Sequence, residues 1–198
     1  MKIVMIGSGY VGLVSGTCFA DFGHDVVCMD KAAEKIEALE RGEIPIYEPG
    51  LDALVDSNVK AGRLTFTTDL AGPVAEADVV FIAVGTPSRR GDGHADLSYV
   101  YAAAREIAAA VKGFTVVVTK STVPVGTGDE VERIIRDTNP EADVAVVSNP
   151  EFLREGAAID DFKRPDRIVV GYEDERARAV MTEVYRPLYL NQAPLLFT

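Results

Sequence analysis

Lys2-Ile3-Val4-Met5-Ile6-Gly7-Ser8-Gly9-Tyr10-Val11-Gly12 is the stretch that decides the fold of this chain. The apolar run at 3–6 has the character of a strand buried on both faces. Three glycines in G-x-G-x-x-G spacing follow at once, and a helical pattern over 11–22 follows them. In that context each glycine has a task. Gly7 permits a tight turn, Gly9 leaves room for a phosphate to approach the backbone, and Gly12 lets helix and strand pack closely. The helix N-terminus then offers free N–H groups and a partial positive charge. This is a βαβ start built to hold a dinucleotide pyrophosphate.

A second apolar run at 26–29 ends at Asp30. A carboxylate there can accept hydrogen bonds from adenosine ribose hydroxyls, and it repels a 2′-phosphate, so NAD is favoured over NADP. Lys31 and Lys35 work against that inference, since nearby cations tolerate a phosphate.

Working outward, short Val- and Ile-rich runs recur at 79–84, 116–118, 144–147 and 168–170. Helical patterns separate them, at 32–41 (ending at Gly42), 51–61, 97–111 (with Asp96 or Ser98 as N-cap), 129–137 and 174–185. The alternation predicts an α/β class: a Rossmann-like doubly wound, mostly parallel sheet flanked by helices, with residues 1–198 forming one domain. Two segments break the rhythm. Arg89-Arg90-Gly91-Asp92-Gly93-His94 is a polar loop, and 149–167 reads as a long irregular stretch. Long loops in compact domains are usually functional or mobile.

A formal net charge of −11 argues against binding nucleic acid or an anionic membrane. An anionic ligand would therefore need a local, preorganised site. Cys18 and Cys28 lie inside predicted elements and make no disulfide framework. His24 and His94 fall in turns, so no metal site is expected. No leader pattern and no apolar stretch of membrane-spanning length is present, which sets the expected location as the cytoplasm.

In open α/β sheets ligands bind beyond the carboxyl ends of the strands. Three segments are predicted there: Gly85-Thr86-Pro87-Ser88, then Lys120-Ser121-Thr122-Val123-Pro124-Val125-Gly126-Thr127, then Asn149-Pro150-Glu151-Phe152-Leu153-Arg154-Glu155-Gly156. Each alone could be an ordinary turn. Together with the glycine loop they outline a cleft. Glu151 has two readings: a desolvated general base, or a helix-start carboxylate stabilising a dipole after Pro150.

These segments, with Tyr47-Glu48-Pro49-Gly50-Leu51 and Val84-Gly85-Thr86-Pro87, resemble the N-terminal half of the UDP-glucose/GDP-mannose dehydrogenase family over essentially the whole chain. The resemblance implies oxidation of a nucleotide sugar's C6 hydroxyl to a carboxylate, with two NAD molecules used in succession. It points to UDP-glucose giving UDP-glucuronate, with GDP-mannose or UDP-N-acetylmannosamine as alternatives. By the same resemblance Asp30 and Lys35 hold the adenosine ribose. Tyr10 and Val11 present N–H groups to the pyrophosphate, beside Gly7, Gly9 and Gly12. Thr86, Thr122 and Glu155 lie along the cofactor. Glu151, Phe152, Leu153, Arg154 and Glu155 line the sugar-nucleotide site, and Glu151 and Thr122 assist proton transfer and water positioning.

The family also uses a cysteine nucleophile, a lysine and an asparagine from segments beyond Thr198. Cys18 and Cys28 do not match that nucleophile's motif. The expectation is therefore half an active site, inactive alone, from an enzyme that assembles as a homodimer or larger oligomer. Two other readings compete. A non-catalytic NAD-sensing module would have no need of the 149–156 carboxylate run. Hydroxyacid or hydroxyacyl-CoA dehydrogenases would not be expected to share 120–127 together with 149–156.

Overall fold

The structure is a computed structural model that describes residues 1–89, 93–191 and 193–198. Arg90, Gly91 and Asp92 of the polar loop lie outside the described residues. At that loop's base the Arg89 N–H donates to the His94 carbonyl at 2.7 Å, and Ser88 bridges Ala95 in antiparallel fashion.

Six strands form one parallel sheet: β1 (Lys2–Ile6), β2 (Asp25–Met29), β3 (Leu64–Thr67), β4 (Val79–Ile82), β5 (Thr115–Thr119) and β6 (Val144–Ser148). Their order is β3-β2-β1-β4-β5-β6. The sheet grows outward from β1 in one direction and from β4 in the other, so a crevice opens where the order reverses. The pleat explains the two cores. Ile3 and Met5 of β1, with Val116 and Val118 of β5, face one apolar cluster; Val4, Ile6 and Val117 face the other.

The first face is covered by α1 (Tyr10–Asp21), α2 (Ala33–Glu40), α3 (Leu51–Lys60), α7 (Ala158–Lys163) and α8 (Glu175–Tyr185). The second is covered by α4 (Ala71–Val74), α5 (Ser98–Ala110) and α6 (Thr127–Thr138). Phe19 of α1 is the hub of the first face. Its ring stacks on Phe81 at 5.0 Å and meets Phe162 and Tyr185 at 5.0 and 5.5 Å. One residue therefore ties the glycine-turn helix to the sheet, to α7 and to α8.

The structure departs from the sequence reading at both ends of the sheet and in the C-terminal third. β3 is one of the two edge strands and lay outside the predicted runs. The 168–170 run is β7 (Ile168–Val170), and it pairs in parallel with β8 (Leu195–Phe197) in a separate two-stranded sheet. The 149–167 stretch contains α7. Arg186–Asn191 forms a 3-10 helix after α8. No helix among the described residues is long and apolar enough to cross a membrane.

Candidate functional site

The glycine turn sits at the carboxyl end of β1, beside the crevice. Gly7 has φ +99°, and a Cβ there would lie 2.6 Å from the Ala83 carbonyl oxygen. A Cβ on Gly12 would lie 1.8 Å from the Gly7 carbonyl oxygen. Both glycines are thus demanded by the protein's own backbone. Gly9 differs: a Cβ there would have no atom within 4 Å. Its hydrogen faces open space at the N-terminus of α1, which has no side-chain cap. That is the space a pyrophosphate requires, and the uncapped N–H groups there suit an anion.

Asp30 closes the turn from the end of β2. Its Oδ2 accepts from the Ser8 N–H and Ser8 Oγ, each at 2.9 Å, and from Lys35 Nζ at 2.8 Å. Among the described residues its Oδ1 accepts only from the Ala32 N–H, at 3.1 Å. Burial would raise this carboxyl, but Lys35 and the three other donors outweigh it and hold the group at about 2. The free acceptor capacity lies on Oδ1. Lys35 is committed to Asp30, and Lys31 is paired with Glu106. The two cations that weakened the preference for NAD are therefore both engaged.

Thr86 and Thr122 are brought together across the ends of β4 and β5: Thr86 Oγ1 donates to the Thr122 carbonyl at 3.2 Å. Next to them, Ser121 Oγ donates to the Val84 carbonyl at 2.7 Å.

The 149–156 segment borders a cavity of about 470 Å3. Glu151, Phe152, Leu153 and Arg154 line it; Thr122 and Glu155 do not. Glu151 Oε2 accepts from the Leu153 N–H at 2.7 Å. Its carboxylate therefore ties a local bend while it borders the cavity; no helix starts after Pro150, since α7 begins only at Ala158, so the helix-start reading does not hold. Arg154 forks onto Asp161 at 2.6 and 3.0 Å. Arg167 lies over the exposed Phe152 ring, 5.2 Å from its centroid. Glu155 is exposed, and its charge lies close enough to Tyr10 to help raise that hydroxyl.

The cavity holds a residue to which the sequence analysis gave no role. Lys120 follows β5 and is 3% exposed. Its Nζ donates to Asn149 Oδ1 at 3.3 Å and lies 5.8 Å from the Phe162 ring centroid. Asn149 Oδ1 also accepts from the Tyr185 hydroxyl at 2.6 Å, and Asn149 Nδ2 donates to the Val169 carbonyl at 2.8 Å. Burial drives the Lys120 ammonium down to about 8, partly opposed by the charge of Glu151. A lysine closing an apolar strand run was the available signal. By contrast, Cys18 and Cys28 are fully buried, and burial pushes each thiol up to about 12. Neither is an available nucleophile.

The family model of the UDP-glucose/GDP-mannose dehydrogenase NAD binding domain matches residues 1–189. A UDP-glucose 6-dehydrogenase of Rhizobium meliloti (strain 1021) is 80% identical over all of this chain and 46% of its own length. Among solved structures, a UDP-glucose dehydrogenase from Pyrobaculum islandicum superposes with a TM-score of 0.93 at 44% identity, covering 99% of this chain and 45% of that one. A GDP-mannose dehydrogenase from Pseudomonas aeruginosa, solved as a ternary complex, superposes at 0.94 with 39% identity, covering 100% and 46%. The chain spans about half the length of the curated relatives it matches.

Proposed function

The chain belongs to the UDP-glucose/GDP-mannose dehydrogenase family, as its NAD binding domain, and on that premise we propose that it is the cofactor half of an enzyme that oxidises UDP-glucose at C6 to UDP-glucuronate. The single observation that carries this reading is the pairing of two features. A glycine turn with its acidic partner Asp30 is one, and the cavity walled by 151–154 is the other. UDP-glucose is preferred over GDP-mannose because the 80% identical relative bears that substrate in its name.

The residues fit the cofactor at the open face of Gly9. Gly7, Gly9 and Gly12 shape the turn, and the Tyr10 and Val11 N–H groups face the pyrophosphate. Asp30 Oδ1 takes a ribose hydroxyl, and Lys35 fixes the Asp30 carboxylate. Thr86, Thr122 and Glu155 follow the cofactor toward its reactive end. When bound, NAD supplies the hydride acceptor. The substrate lies along 151–155, where Glu151 accepts the proton released from the C6 hydroxyl and Thr122 orients water. Arg164 and Arg167 on the cavity wall answer the diphosphate charge.

The 198 residues alone form one domain that binds NAD without turning over the sugar nucleotide. Neither buried thiol can act as nucleophile. The longer protein is a homodimer or larger assembly, a reading supported by the exposed Tyr47, Val125 and Tyr189. Light scattering on the longer protein tests it. The two free thiols suit a reducing compartment, and we place the protein in the cytoplasm.

Titration calorimetry tests the cofactor half of this reading. NAD binds the chain, and Asp30→Ala weakens it far more than Asp21→Ala, a control at the far end of α1. Equal affinities for the two variants sink the ribose assignment. Robust turnover of UDP-glucose by this chain refutes the half-site reading.

A further inference from the structure

Glu48 takes part in none of the steps above, yet it is a carboxylate only 6% exposed. It stands in Tyr47-Glu48-Pro49-Gly50-Leu51, just before α3. Its Oε2 accepts from the Tyr10 hydroxyl and from the Gly156 N–H at 2.8 Å. Its Oε1 accepts from the Ala158 N–H at 2.8 Å and, more weakly, from the Ile159 N–H at 3.5 Å. The Tyr10 hydroxyl also accepts from the Gly156 N–H at 3.2 Å and lies 3.4 Å from the Arg154 carbonyl. One carboxylate therefore satisfies the amides where the 149–156 segment turns into α7.

These donors explain how a charge is tolerated there. Burial opposes ionisation, but the Tyr10 hydroxyl and three backbone N–H groups hold the Glu48 carboxyl below its usual value. The hydroxyl at the other end belongs to Tyr10, the first residue of α1. Its own backbone N–H is among those at the open face of the glycine turn. One side chain thus joins the dinucleotide turn to the loop that walls the cavity.

We propose that Glu48 is the positioning residue of the cavity loop, and that through the Tyr10 hydroxyl it ties the geometry of residues 151–156 to the occupied state of the dinucleotide turn. The coupling rests on the reading that the turn holds NAD. A ligand that orders Tyr10 must order Glu48, and Glu48 must order Gly156 and Ala158. By linkage the effect runs both ways, so a ligand ordering the loop tightens NAD by the same factor.

Amide hydrogen exchange by NMR on this chain, with NAD as the probe, tests the proposal. In the wild type, NAD slows exchange at Gly156 and Ala158. Without NAD, Glu48→Gln and Tyr10→Phe speed exchange there by roughly 10-fold or more, the worth of a charge-assisted hydrogen bond in a local opening equilibrium. The Val117 amide in the sheet keeps its rate, which separates loop loosening from global unfolding. At NAD concentrations that saturate each variant, judged from the Gly9 and Gly12 signals, the response at Gly156 and Ala158 is absent in Tyr10→Phe. Unchanged exchange at both amides in both variants overturns the positioning role. A full NAD response in Tyr10→Phe overturns the coupling. If the wild type fails to bind NAD, the cofactor reading falls, while the comparison without NAD still decides the role of Glu48.

Discussion

Asp30→Asn isolates the structural duty of this carboxylate. The substitution keeps the shape but removes the charge that Ser8, Ala32 and Lys35 converge on. In the folded chain the carboxyl lies at about 2, against an ordinary 3.8, and its side chain is 15% exposed. Each tenfold change in acidity corresponds to about 1.4 kcal/mol, so the charge contributes about 2 kcal/mol at neutral pH. The sign follows from the depressed folded value. The contribution is present above pH 4, is lost as pH falls toward 2, and is about half gone at pH 3. Urea unfolding of wild type and variant at pH 7 and pH 3 reads both numbers. The variant is less stable by about 2 kcal/mol at pH 7 and by about 1 kcal/mol at pH 3. Equal stability at pH 7 refutes the ledger. A deficit that stays undiminished at pH 3 shows that packing, not charge, is responsible.

Gly12→Ala and Gly9→Ala part company. The first places a Cβ 1.8 Å from a backbone oxygen and lowers stability by about 3 kcal/mol or more in urea unfolding. The second meets no atom within 4 Å, so it keeps its melting temperature and loses NAD affinity by calorimetry. Lys120→Met removes a buried ammonium held by one neutral amide and raises stability at pH 7 by about 3 kcal/mol. Because the folded value, about 8, lies below the ordinary 10.5, that gain shrinks as pH rises from 8 to 10.5; a gain independent of pH contradicts the assignment. Phe19→Ala opens the aromatic hub and costs about 3–5 kcal/mol, measured by the same unfolding curves.

The parts of the fold legible in the sequence are those with a local signal. Strands β1, β4 and β5 are buried on both faces, so they read as unbroken apolar runs, while β2 and β6 are half-buried on one face and still carry Val-rich runs. β3 is an edge strand, and Leu64-Thr65-Phe66-Thr67 alternates over only four residues. β7 is equally apolar, but three residues carry no information about which sheet they join. The glycine turn and Asp30 were legible because their spacing is set by one βαβ unit. The duty of Glu48 was not, because its partners Gly156 and Ala158 lie more than a hundred residues away in the chain and nothing at 47–51 points to them. Lys120 and Asn149 stood in recognisable segments, yet only the fold buries one against the other.

Charge placement joins these observations. A chain of net charge −11 repels both a dinucleotide and a sugar nucleotide at long range, so attraction must come from local groups, either backbone N–H donors or cations that the protein does not neutralise itself. At the glycine turn Lys35 is spent on Asp30, and the attraction falls to the N–H groups of α1. At the cavity the arrangement is opposite. Arg154 is committed to Asp161, while Lys120, Arg164 and Arg167 form no ion pair among the described residues. Lys120 is kept there at a cost in stability, because burial disfavours its charged form and drives its pKa down to about 8. A buried cation is stabilised by an anion beside it, so part of the folding free energy given up at Lys120 is recovered on anion binding.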